Sequence, residues 1–152
     1  MLKITSLRHA AIIARDVERM KDFYTNVLGF ECVEEVTIGT EDFQRGIGVP
    51  GSSAKGIVLN LPGTKVQIEI YQITPQRAYL EDISHTNMPG LRHLAFEVED
   101  LEKAYKELSD KGVEFVEEPI FVTEPPEVAG LGFTYFKDIE GNLIELNQYN
   151  SN

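Results

Sequence analysis

The sequence predicts an α+β chain made from one β-α-β-β-β unit used twice. Three observations carry that expectation: a block repeat at near-constant spacing, a capped helix at the same place in each copy, and a glycine stop after each helix. Leu7-Arg8-His9 recurs as Leu91-Arg92-His93, an offset of 84 residues that also brings Ala11 onto Ala95, Asp16 onto Asp100 and Glu18 onto Glu102. At an offset of 83, Gly29-Phe30-Glu31-Cys32-Val33-Glu34-Glu35 meets Gly112-Val113-Glu114-Phe115-Val116-Glu117-Glu118. Ile68-Glu69-Ile70 then aligns with Ile144-Glu145-Leu146, and Gln72 with Gln148. Repetition in the same order is the mark of a duplicated unit.

Taken along the chain, residues 7–14 and 91–98 are apolar-rich and bounded by polar turns, so each reads as a first strand. Asp16 and Asp100 are good N-cap residues, and helical apolar spacing follows each. Val17, Met20, Phe23, Tyr24, Val27 and Leu28 form one helix face, and Leu101, Ala104, Tyr105 and Leu108 the other; both are expected to be core. Gly29 and Gly112 stand where a left-handed helix stop favours a residue without Cβ. Strands are expected at about 31–38, 57–61 and 65–73, with counterparts at about 113–118, 133–137 and 142–149. Residues 1–152 thus read as a single domain: module one at about 5–74, a polar linker at 75–90, and module two at about 91–149. Whether Phe96 and Phe136 line a pocket or the core is left open by the pattern.

The chain of 152 residues is long enough to bury a core without a disulfide or metal staple. Its net charge of −11 disfavours binding to nucleic acid or an anionic membrane. Cys32 is the only cysteine, which rules out a disulfide framework and a thiolate zinc site and leaves a buried, inert thiol as the expectation. The first six residues lack a signal-peptide pattern and no apolar run spans a bilayer, so a cytoplasmic address is expected.

His9 and His93 hold equivalent places in the two first strands, and Glu69 and Glu145 in the two last strands. A carboxylate between Ile68 and Ile70 is costly to bury unpaired, so it calls for a cation or hydrogen-bond donors. If the halves pair by approximate two-fold symmetry, two imidazoles and two carboxylates converge on one divalent metal. That donor set suits Zn, Ni, Co, Mn or Fe better than a thiolate-preferring ion. The competing reading is two structural ion pairs, His9–Glu69 and His93–Glu145.

The blocks Arg8-His9-Ala10 followed by Asp16 to Leu28-Gly29-Phe30, Arg92-His93-Leu94-Ala95-Phe96-Glu97-Val98, and Asp138-Ile139-Glu140-Gly141-Asn142-Leu143-Ile144-Glu145-Leu146 resemble the vicinal oxygen chelate superfamily. That group includes glyoxalase I, methylmalonyl-CoA epimerase, extradiol dioxygenases, and fosfomycin and bleomycin resistance proteins. The resemblance implies paired βαβββ modules forming a U-shaped mixed sheet around a divalent metal held by His9, Glu69, His93 and Glu145. It also implies a homodimer acting on a small-molecule substrate, with the metal lying within one chain or between two. A His/Glu/His/Glu set is most similar to glyoxalase I. The implied chemistry is a metal-chelated enediolate, with Glu145 as the base that moves the proton and Glu69 able to share the role.

Two departures argue against glutathione as the thiol. Ile13 stands where small bacterial glyoxalases carry Arg, and Ile73 where they carry Asn. Arg8 and Arg92 are expected to point away from the histidine face, and Arg45 is a weak candidate for an anion; His85 reads as a bystander. Gly46-Ile47-Gly48-Val49-Pro50-Gly51 spells a dinucleotide fingerprint, but no helix pattern opens after it, so a flexible loop is expected. Residues 121–132 form a long irregular segment, a candidate lid. The leading expectation is a metal-dependent lyase or isomerase of the glyoxalase type acting on a small oxygenated metabolite. The alternatives are an Fe(II) extradiol-type dioxygenase, an epimerase, and a non-catalytic drug-sequestering protein.

Overall fold

The computed structural model describes residues 8–77, 90–126 and 128–149. Most of the linker, with His85, lies outside the described residues, as do the first seven positions and residue 127. The chain divides into two compact units, Met1–Ala78 and Tyr79–Asn152. Each contains a four-stranded mixed sheet with at least one helix, an α+β arrangement.

In the first unit, strand β1 (Ala10–Ile13) leads into helix α1 (Val17–Asp22), which continues as a π-helical turn over Phe23–Val27. Strand β2 (Glu31–Ile38), helix α2 (Glu41–Ile47), and strands β3 (Ser53–Asn60) and β4 (Gln67–Thr74) follow. The sheet order is β1-β4-β3-β2, with β1 parallel to β4 and the other pairs antiparallel. In the second unit, β5 (His93–Glu97), α3 (Leu101–Asp110), β6 (Ile120–Phe121), β7 (Leu131–Lys137) and β8 (Leu143–Tyr149) repeat the order as β5-β8-β7-β6, again with a parallel first pair.

The helices form where the caps and apolar spacing place them. Asp16 Oδ1 accepts from the amides of Glu18 and Arg19, and Asp100 Oδ1 from that of Lys103. Gly29 and Gly112 sit at φ 79° and 83°. Val17, Met20, Phe23 and Tyr24 are buried against Ile57, Leu59, Ile68 and Ile70. In the second unit, Leu101 and Leu108 are buried together with Phe136, Ile144 and Leu146. Phe136 belongs to this core, packed against Phe115, which in turn meets Tyr105. The repeated glutamines reach from the last strand of each unit to its helix: Gln72 Oε1 accepts from Val17 N–H at 3.1 Å, and Gln148 Oε1 from Leu101 N–H at 2.8 Å. Each fills a helix-terminal donor that has no partner inside the helix.

Several expectations shift. The strand expected at about 113–118 lies instead at Ile120–Phe121, and Phe115 makes only an isolated bridge to Phe136. Pro119, which has no N–H, separates the two. The glycine-bearing stretch read as a loop begins inside a helix, α2, capped by the Thr40 hydroxyl and closed by Gly48 at φ 70°. A helix precedes those glycines and a strand follows them, the reverse of a dinucleotide site. The candidate lid is a hairpin connection between β6 and β7, tied by Val122 N–H to Leu131 O and Gly130 N–H to Val122 O. Cys32 is half-buried, not buried. Among the described residues, no helix is long and apolar enough to cross a membrane.

The turn between β7 and β8 explains the Asp138-to-Asn142 motif. Asp138 is 4% exposed; its Oδ1 accepts from the amides of Glu140 and Asn142, and its Oδ2 from Asn142 Nδ2. Asp138→Ala strands three donors in a part-buried turn and is expected to cost about 1–3 kcal/mol in urea unfolding. A change below about 0.5 kcal/mol, within the range of ordinary surface substitutions, would show that this carboxylate does not hold the turn.

Candidate metal centre

The parallel strand pairs position the four sequence-identified residues. Ala11 is in register with Glu69, and Ala95 with Glu145. His9 and His93 stand two residues before those alanines, so strand alternation puts each histidine on the same face as its glutamate. The other face carries Ile68, Ile70, Ile144 and Leu146 against the helix. The histidine face is open, and the pairs on it are close. His9 Nδ1 lies 3.2 Å from Glu69 Oε1, and His93 Nε2 lies 3.1 Å from Glu145 Oε2. The imidazoles are 37% exposed in both cases, the carboxylates 20% and 12%. Within each unit the histidine and glutamate therefore come together. Among the described residues, no three or more His, Cys, Asp or Glu side chains gather into a metal-binding group; each unit brings together one histidine and one glutamate.

The two contacts are the ion pairs of the competing reading, and their spacing is also compatible with a shared cation. Two ligands about 2.1 Å from one ion at right angles stand about 3.0 Å apart, close to both His–Glu contacts. As bare ion pairs the same contacts are too exposed to add much stability.

A tyrosine accompanies each carboxylate: strand alternation alone puts Tyr71 on the face of Glu69, whereas the partner of Glu145 was not found from the sequence. In the second unit Tyr135 on β7 is in register with Glu145 on β8, and its hydroxyl donates to Glu145 Oε2 at 3.0 Å. Its ring meets His93 edge-on at 5.3 Å and Phe133 at 6.0 Å. Burial, then the hydrogen bond to Glu145 and that residue's charge, push the phenol up to about 12, so it stays a donor at neutral pH. In the first unit the matching place opposite Glu69 is Val58, and the phenol comes instead from Tyr71, two residues along β4. Burial, the charge and hydrogen bonding of Glu69, and the charge of Glu34 raise Tyr71. The Tyr71 ring lies over Gly56, its cross-strand partner, where a Cβ would collide with it. At the matching pair in the second unit the sizes are exchanged: Phe133 faces Asn147. Alternation along β7 already puts Tyr135 two residues from Phe133 on one face; its register with Glu145 is the part that sequence lacks.

Other candidates fall away from the open faces. Arg45 pairs with Asp42 at 3.5 Å on α2, and Arg8 is exposed. Ile13 and Ile73 do lie on the open face of the first unit, following His9 and Glu69 along their strands.

Comparison with known proteins gives a consistent result. A family model described as Glyoxalase/Bleomycin resistance protein/Dioxygenase superfamily matches residues 6–146. The chain is 37% identical over 145 residues to the Bacillus subtilis protein YwkD, itself uncharacterised, covering 94% of this chain and 96% of that one. It is 28% identical to the ethylmalonyl-CoA/methylmalonyl-CoA epimerase of Cereibacter sphaeroides, covering 95% and 98%. In fold it is similar to the crystal structure of a glyoxalase family protein from Bacillus cereus, with a TM-score of 0.83 at 20% identity over 99% of this chain and 97% of that one.

Because the Tyr71 ring occupies the space where a side chain at Gly56 would go, Gly56→Ala is expected to displace the ring and cost about 1–3 kcal/mol of stability. An unchanged unfolding midpoint and an unchanged tyrosine near-ultraviolet dichroism signal would show that the ring does not depend on that gap.

Proposed function

We propose that this chain, which belongs to the Glyoxalase/Bleomycin resistance protein/Dioxygenase superfamily, is a divalent-metal-dependent lyase or isomerase of the glyoxalase type. In this reading His9, Glu69, His93 and Glu145 hold one ion, two donors from each unit, and the substrate is a small oxygenated metabolite. The observation that carries the reading is the duplicated His–Glu pair, set on adjacent parallel strands at the spacing of neighbouring ligands. When bound, the ion supplies Lewis-acid stabilisation of negative charge on substrate oxygen.

The chain's own residues do the rest. The Glu145 carboxylate takes a proton from the carbinol carbon of a thiol–2-oxoaldehyde adduct and returns it to the neighbouring carbon. The product is a 2-hydroxythioester, with no atoms gained or lost. Glu69, the matching carboxylate of the first unit, can share the role. Apolar Ile13 and Ile73 on the first unit's open face offer no partner to a glutathione carboxylate, so another thiol is favoured.

A second reading is supported by the epimerase relative. There a proton is removed from the carbon beside a thioester carbonyl and returned on the other face, using the same two carboxylates. Separately from either reaction, we infer a homodimer with a cytoplasmic address.

Elemental analysis of protein purified without added metal is expected to give one divalent ion per chain, lost in both His9→Ala and His93→Ala. Two ions per chain, or one retained in each variant, would mean that the pairs act separately. Mixing the two variants restores one site per dimer if copies share the ion and none if each chain holds its own. Glu145→Gln is expected to keep the metal and lower turnover by about 100-fold or more. Oxoaldehyde–thiol adducts and a 2-methylmalonyl thioester, followed by proton exchange in deuterated water, separate the two reactions. Near-normal turnover in Glu145→Gln would remove it as the base.

A further inference from the structure

We propose that Tyr135 is the positioning residue of Glu145, fixing Oε2 as the atom offered to the metal and leaving Oε1 as the atom that accepts the substrate proton. This rests on the reading of Glu145 as both ligand and base, and it divides those two tasks between the oxygens of one carboxylate.

Three observations support the division. The Tyr135 hydroxyl donates to Oε2 at 3.0 Å, and His93 Nε2 approaches the same oxygen at 3.1 Å, so both neighbours converge on one atom. Among the described residues, Oε1 has no hydrogen-bond partner. The phenol is itself fixed, since its ring stands edge-on to His93 at 82° and to Phe133 at 73° while its strand is in register with β8. A carboxylate with one oxygen tied down cannot swing to offer both oxygens to an ion, and its free oxygen is aimed by the tie. Partners of this kind orient a ligand without touching the metal.

The first unit is the internal contrast. Val58 takes the register place of Tyr135, and the carboxylate of Glu69 meets His9 through Oε1. The phenol near Glu69 comes from Tyr71 on its own strand, so no donor crosses from β3 to clamp it. The two glutamates occupy equivalent places, and only Glu145 is held from the neighbouring strand. That difference distinguishes the two carboxylates.

The test uses full-length protein and Co(II) as the probe, read by its visible absorption and by competition with a chelator. Tyr135→Phe removes one hydroxyl and keeps the ring contacts to His93 and Phe133, and its melting profile reports whether it folds. It is expected to bind Co(II) about 10-fold or more weakly, with shifted absorption bands as Glu145 gains freedom. Tyr149→Phe, an exposed position farther along β8, is expected to match the parent. Parent protein that takes up no Co(II) would remove the metal reading itself. A parent that binds, with Tyr135→Phe showing the same affinity and spectrum, would overturn the role of Tyr135 and leave the metal reading standing. An equal loss in Tyr149→Phe would also overturn it, because the effect would then be general to the face.

Discussion

The parallel pairing of the first and last strand in each unit is the constraint on which the rest depends. In a strand, alternate side chains go to opposite faces, so the register that sets Ala11 beside Glu69 also sends Ile68 and Ile70 to the helix. A slip of one residue would exchange the two sets, placing a carboxylate in the apolar layer and isoleucines in solvent. The glutamine on the helix face adds a check on that register. Gln72 and Gln148 reach the first amide of their helices only when the last strand is in place. The N-cap aspartate, the helix start and the last strand thus agree on one arrangement, and the His–Glu pair on the opposite face follows from it.

Duplication has kept this scaffold and altered what stands on the open face. The cross-strand pair Gly56 and Tyr71 corresponds to Phe133 and Asn147, large for small on one strand and small for large on the other. Aromatic volume is therefore conserved across the pair, while the origin of the phenol changes. In the first unit it arrives along β4, and in the second across from β7. The β-bulge at Val33 in the first unit adds a further difference. It places Glu34 on the open face opposite Val58, while Glu35 turns to the helix side and pairs with Lys21 on α1. Two His–Glu pairs of the same composition are thus given different neighbours, and the two carboxylates differ in what surrounds them.

The repeat, both helix faces, the caps and the four polar residues were legible because each is a local pattern or a match between blocks. Three features were not. Helix α2 buries no side chain and carries a single apolar pair at helical spacing, Phe43 and Ile47; its other signals are Thr40 before it, Glu41 and Asp42 in its first turn, and Gly48 after it. The segment after Gly112 has the apolar alternation of a strand, yet Phe115 spends it on packing against Tyr105 and Phe136, and pairing resumes only beyond Pro119. Tyr135 escaped because its contact with Glu145 depends on the length of the turn joining β7 to β8. Asp138 and Asn142 set that length, so a motif first noticed as a family mark is also the device that aligns donor and carboxylate.

On the function proposed above, side chains beyond each His–Glu pair also narrow the substrate. Ile13 and Ile73 extend the open face of the first unit beyond His9 and Glu69, and Ile13 remains 57% exposed. The matching places in the second unit hold Glu97 and Tyr149. None of the four supplies a cation, and one adds a negative charge to a chain already at −11. A thiol carrying a carboxylate close to the reacting carbon would meet apolar or like-charged surface there, at a cost in unpaired desolvation. The same penalty bears on the epimerase reading, whose 2-methylmalonyl substrate carries a carboxylate on the reacting carbon, so this surface favours the lyase reading of the two. On the lyase or isomerase reading proposed above, the open-face composition therefore disfavours a short acidic thiol, by the same alternation that brings each histidine to its own glutamate.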